Sequence, residues 1–98
     1  MIDVISDAIN GKRRLVLDYR PGRRIVEPHT LGIGSSGQLL LRAFQVEGAS
    51  ESGKPTAWKL FRLELADFVE NDQSGFAGPR EGYRRCDSAM KNGVLAEL

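Results

Sequence analysis

Ninety-eight residues, 41% of them hydrophobic and 28% charged, describe one packed domain that is too short for two independent cores. The longest apolar runs, such as Leu39-Leu40-Leu41, fall far below a membrane span, and Asp3 and Asp7 interrupt the apolar N-terminus in a way a signal peptide does not. The lone Cys86 cannot form an internal disulfide, so a disulfide scaffold is excluded and a cytoplasmic, bacterium-like setting is expected. A domain of this size leaves much of its surface exposed, and a homo-oligomer or a protein partner would add stability.

The net charge of +1 conceals an asymmetry. Residues 12–24 carry Lys12, Arg13, Arg14, Arg20, Arg23 and Arg24 against Asp18 alone, whereas residues 47–72 carry six acids against three bases. The basic stretch suits phosphate groups. It equally suits a solvated hairpin whose charges discourage edge pairing.

In chain order, Ile2, Ile5 and Ile9 recur at helical spacing and predict a helix over 2–10, with Asn10-Gly11 as its stop. From Arg14 the period becomes two, with Leu15, Leu17 and Tyr19 on one face of a strand near 14–19. Pro21-Gly22 marks a turn, and a second strand follows over 23–27. Pro28 has no N–H for a ladder and predicts a strand end or edge, so 30–33 is read as a separate strand. Two further strands are expected over 38–46 and 58–65, on either side of a Gly/Ser/Pro-rich loop. A helix over 38–45 is the alternative, because leucine favours helices, but the short length and the glycine-rich flank favour a strand. Residues 71–98 read as an irregular segment anchored by Phe76, Tyr83, Val94, Leu95 and Leu98. One helix and about five short strands predict a mainly β (α+β) single domain, residues 1–98, with a strongly bent sheet or small barrel.

Gly32-x-Gly34-x-x-Gly37 matches the dinucleotide-binding fingerprint in its letters. That chemistry needs a helix directly after the glycines, and here a strand is expected, so the glycines are read as turn formers. His29 is the only histidine, and a hydrolase would have to use it as its base. Neither Ser35 and Ser36 nor Cys86 lies in a nucleophile motif, and one histidine with one cysteine makes a poor zinc site. We therefore expect no catalysis, no cofactor and no metal.

Arg42 and Arg62 each stand among apolar strand neighbours. A charge so placed is either paired, with Glu27, Glu64 or Asp67 as partners, or carried past the sheet rim on its own stem. Alternatively it forms a cationic pocket for phosphate or carboxylate, for which the guanidinium fork is suited. Tyr19 and Trp58 are likewise either core rings or stacking platforms.

The order Ile5-x-x-Ala8-Ile9, Leu15-x-Leu17-x-Tyr19 and Arg24-x-Val26-Glu27-Pro28-His29 resembles the opening of a WYL domain. Leu39-Leu40-Leu41-x-Ala43-Phe44 stands at the naming tripeptide, and Trp58 to Leu63 resembles a later strand of that family. The run Pro79-Arg80-x-Gly82-Tyr83-Arg84-Arg85, with Asp87 and Met90, is similar to the ending of small stand-alone members. Leu39 and Leu40 replace the family's Trp and Tyr, and Glu64-Leu65-Ala66 replaces its usual Asp-Arg-Ile. The resemblance implies an Sm-like, SH3-type barrel behind a helix, and a regulatory module of transcription control. It implies a nucleotide or single-stranded nucleic acid as ligand, held by Tyr19, His29, Arg42 and Arg62 with Arg23 and Arg24 as auxiliary bases. These residues contain no helix-turn-helix, so sequence-specific repression by this chain alone is not expected.

Overall fold

The computed structural model describes residues 1–98. The predicted helix forms as α1 (Ile2–Gly11), ending in a left-handed Lys12 whose N–H reaches back to the Ala8 and Ile9 carbonyls. It buries Ile5, Ala8 and Ile9, the face that the sequence spacing marks. Six strands follow: β1 (Arg13–Tyr19), β2 (Gly22–Ile33), β3 (Leu39–Gly48), β4 (Ala57–Arg62), β5 (Phe68–Gly75) and β6 (Val94–Glu97).

All pairings are antiparallel, in the order β4-β3-β2-β1-β5, with β6 added on β2. β4 and β5 do not pair, so the sheet is open, and the closed barrel that the family resemblance implies is not seen. Ile5 and Ile9 of α1 pack with Leu15, Leu17, Val26, Leu31, Leu41, Phe61 and Leu63, all essentially inaccessible to solvent, and this single cluster is the core.

The expected strands 23–27 and 30–33 are one strand. Pro28 lies inside β2 rather than at its end, and it is tolerated because the ladder is broken there. Pro28 faces Ala43 and Thr30 faces the next residue, Arg42, so His29 is an extra residue bulged out of the pairing. The bulge divides β2 into two working halves. Leu15 to Tyr19 of β1 pair with its first half, and β6 pairs with Thr30 to Gly32 on its second half.

Two other boundaries differ from the sequence reading. The strand expected over 58–65 stops at Arg62, and Leu63–Leu65 forms a 3-10 turn that buries Leu63 and leaves Leu65 exposed. The segment expected to be irregular contains most of β5 and all of β6, while residues 76–93 do lack regular structure. The glycine fingerprint is a hairpin between β2 and β3 with no helix after it. Only Gly37 of the three has a positive φ, +80°.

Gly48 closes β3 with φ +111°, and a Cβ there would stand 2.3 Å from the Arg23 carbonyl oxygen and 2.7 Å from the Arg24 Cα. Gly53 also has positive φ, +77°, but a Cβ would meet nothing within 4 Å. Urea unfolding should separate the two effects. Gly53→Ala should cost about 1 kcal/mol for the left-handed backbone alone. Gly48→Ala should cost roughly 3 kcal/mol or more, because backbone must move.

Candidate functional site

Glu27, 1% exposed, holds the 76–93 segment to the sheet. Its Oε1 accepts from Arg80 Nε at 2.7 Å, while Oε2 accepts from Arg80 Nη2 at 3.2 Å and from Arg14 Nε at 3.0 Å. Burial pushes the Glu27 pKa up, but the hydrogen bonds and charges of Arg80 and Arg14 outweigh it and leave it below the ordinary value. The Arg80 guanidinium also lies over the Phe44 ring, 4.6 Å from its centroid.

His29, bulged from β2, is fully buried and engaged at both nitrogens. Nδ1 lies 2.8 Å from the Glu27 carbonyl, and Nε2 accepts the Arg80 backbone N–H at 3.1 Å, which fixes a neutral ring protonated on Nδ1. Burial lowers its pKa despite the opposing pull of Glu27. Trp58, Tyr83 and Phe76 surround the imidazole at centroid distances of 4.7, 5.1 and 5.7 Å.

Trp58 and Tyr83 form the floor of a cleft of about 530 Å³ between β3, β4 and residues 82–88. Trp58 is positioned by Phe44, edge-to-face at 5.5 Å, and by its indole N–H, which donates to the Glu81 carbonyl at 3.0 Å. Tyr83 lies nearly parallel to Trp58 at 6.4 Å, its hydroxyl within 3.1 Å of a Leu98 oxygen. Arg42, Arg84, Arg85 and Asp87 supply the polar wall. Asp87 accepts from Arg42 Nε at 2.7 Å and Nη2 at 3.3 Å. The hydrogen bond from Arg42 lowers the Asp87 pKa, against burial. Arg85 reaches Glu97 at 3.0 Å, and Arg84 is exposed and pairs with no carboxylate. A cleft with two aromatic faces and an uncommitted guanidinium can stack a planar group and neutralise an anion.

The four residues expected to bind do not meet in one concavity. Only Arg42 lines this cleft. His29 lies beneath its aromatic floor. Tyr19 packs edge-to-face on Phe61 at 5.0 Å, and its hydroxyl accepts the Arg62 N–H at 3.3 Å. Arg62 is exposed and bonded to Glu64, away from the cleft. Of the auxiliary bases, Arg23 is exposed and Arg24 is buried under the β3–β4 loop. Arg80, Arg84 and Asp87 were missed as site residues. Their signal was the cluster of arginines around Gly82 and Tyr83, which an irregular backbone assignment hid.

No family model matches the chain. It is similar to the vitamin B12 transporter BtuB of Photobacterium profundum, with 32% identity over 94 residues, which are 95% of this chain and 14% of that protein. Among solved structures it is similar to proteasome accessory factor B/C (PafBC) of Arthrobacter aurescens. There the TM-score is 0.66 and the identity 24%, over 86% of this chain and 13% of that one. The chain therefore spans a small fraction of either protein's length. The second likeness supports the WYL-like fold that the sequence resemblance implies. No helix is long and apolar enough to cross a membrane.

Glu27, Asp87 and His29 all have lowered pKa values, so the unfolded chain binds more protons and acid destabilises the fold. Loss should begin as pH falls below about 6.5, where an unfolded histidine protonates, and steepen below about 4.5 as the carboxylates follow. Urea denaturation across pH 3–8 reads this profile. In His29→Gln the first step should vanish while the second remains.

Proposed function

We propose that the chain is a WYL-type regulatory module without catalytic activity that binds a phosphate-bearing ligand, a nucleotide or single-stranded nucleic acid, in the Trp58–Arg84 cleft. The observation that carries this is the pairing of a stacking floor, Trp58 and Tyr83, with Arg84, the cleft's one guanidinium free of a carboxylate. Trp58 would offer its face to a base, Arg84 would take the phosphate, and Arg42 would hold the wall through Asp87.

A non-catalytic role is favoured by His29, whose two ring nitrogens are both spent inside the protein and whose surface is fully covered. The PafBC likeness favours a part in a larger regulatory protein, and an intracellular setting follows from such a ligand. Tyr19 and Arg62 act in this reading as supports of the sheet, with Arg23 available to phosphates only at a distance from the cleft.

A second reading rests on a different observation. β4, β5 and β6 each have one strand neighbour, so the open sheet offers three edges to a partner strand. Recovery of a stoichiometric protein partner with no nucleotide binding would favour this reading over the first.

Trp58 is the only tryptophan, so its fluorescence reports the cleft directly. Titration with AMP or a short oligodeoxythymidylate at low salt should give a saturable change that weakens as salt rises. Arg84→Ala should reduce the affinity about tenfold in a folded protein. No saturable response to any nucleotide or oligonucleotide at low salt would overturn the ligand reading.

A further inference from the structure

Arg24 is the most deeply buried cation of the domain, 4% exposed, and no carboxylate pairs with it. Its guanidinium donates to the Tyr19 carbonyl at 2.9 Å, to the Arg20 carbonyl, and to Gln45 Oε1 at 3.4 Å. The Tyr19 and Phe61 rings lie 5.1 and 5.6 Å from its Cζ. Buried cations are ordinarily matched by an anion, and every acceptor here is neutral. Gln45, also fully buried, extends the cluster by donating to the Ala49 carbonyl at 2.8 Å, where the loop between β3 and β4 begins.

The same loop receives Lys59. Its Nζ lies 3.0 Å from Ser50 Oγ and 2.9 Å from Ser52 Oγ, and the two hydroxyls are 3.0 Å apart. The Lys54 N–H donates to Ser52 Oγ at 3.3 Å, which fixes the loop around these groups. Neither Lys54 nor Lys59 forms an ion pair. Burial, Arg24 and Lys54 together push the Lys59 pKa down, so like charges face one another here. Glu51, the one acid of residues 49–56, favours the charge of Arg24 through space but bonds to none of the three cations.

Three cations, two converging hydroxyls and no bonded counter-ion make a binding site short of its anion. The Ser50 hydroxyl donates to the Lys54 carbonyl at 3.3 Å, so it holds the loop rather than an incoming ligand. We infer that the β3–β4 loop is an oxyanion site that takes a phosphate group, with Lys59 Nζ and the Ser52 hydroxyl as direct donors and Arg24 and Lys54 supplying the field. A phosphate carries nearly two negative charges at neutral pH and a carboxylate one, so phosphate better matches three cations with no bonded counter-ion. The site is separate from the cleft: Trp58 and Lys59 are successive residues of β4 and project to opposite faces of the strand.

The test is an amide NMR titration of the full chain with inorganic phosphate, and separately with glycerol phosphate, at constant ionic strength set with chloride. Saturable shifts should appear at Ser50, Ser52 and Lys54, and the Lys59 ammonium should titrate at higher pH once the anion is bound. Lys59→Gln and Ser52→Ala should each weaken binding by about tenfold or more. A response to both probes supports a site for any phosphate group, and a response to glycerol phosphate alone supports one for esters. Absence of saturable shifts over residues 49–59, or undiminished affinity in both variants, overturns the site. Shifts confined to residues 82–88 also overturn it, while leaving the cleft's ligand reading intact.

Discussion

Glu27 presents a buried carboxylate to two guanidiniums from distant parts of the chain, Arg14 on β1 and Arg80 from the segment beyond β5. Neither arginine is fully buried, so the pair keeps part of its hydration while the carboxylate gives up nearly all of its own. That asymmetry makes the arginines necessary: a lone carboxylate at this position would protonate or draw water into the core. The backbone repeats the connection, since His29 accepts the Arg80 N–H and lies near the Glu27 carbonyl. Residues 76–93 lack regular structure, and this side-chain knot helps to hold them, together with the Arg42–Asp87 pair and the backbone bonds between Ile33 and Asn92 and Gly93. The aromatic floor of the cleft is arranged around the knot.

Periodicity made most of the frame legible. Apolar residues at helical spacing gave α1, and alternation gave β1, β3 and the start of β4, because in each case one face meets the core. β5 escaped because Glu70-Asn71-Asp72-Gln73-Ser74 is almost wholly polar; it is an edge strand that owes its place to backbone pairing with β1. β6 escaped for the opposite reason. Val94 and Leu95 look like core residues but are exposed, and the strand is fixed by its pairing with β2 and by Ala96 facing inward. Pro28 was read as an end because a proline breaks a ladder, and it does break one, within a strand that carries on past a bulge.

The candidate site was less legible, for a reason that Arg42 and Arg62 make plain. A strand pattern reports that a charge stands among apolar neighbours, but not whether a counter-charge comes from elsewhere in the chain. Arg62 finds Glu64 two residues away, a pairing the sequence offered. Arg42 finds Asp87, forty-five residues on, which no local pattern contains. Val-Glu-Pro-His, the most specific part of the family resemblance, is read here as the anchor of the segment that builds the cleft. The cleft is thus walled by the least regular backbone of the domain, with the buried Glu27 and His29 beneath it.

The division of β2 into two halves has a consequence for how the chain comes together. Its first half is paired by β1, a near neighbour in sequence, and can zip as soon as a tight turn forms. Its second half receives β6, where Thr30 faces Glu97 across most of the chain's length. Closing so long a loop is entropically slow, and on the ribosome it must wait until the last strand has emerged. Until then the edge of β2 that faces away from β3 stays unpaired from Thr30 to Gly32, the period in which a nascent copy is most open to chaperones or to strand exchange with a neighbour.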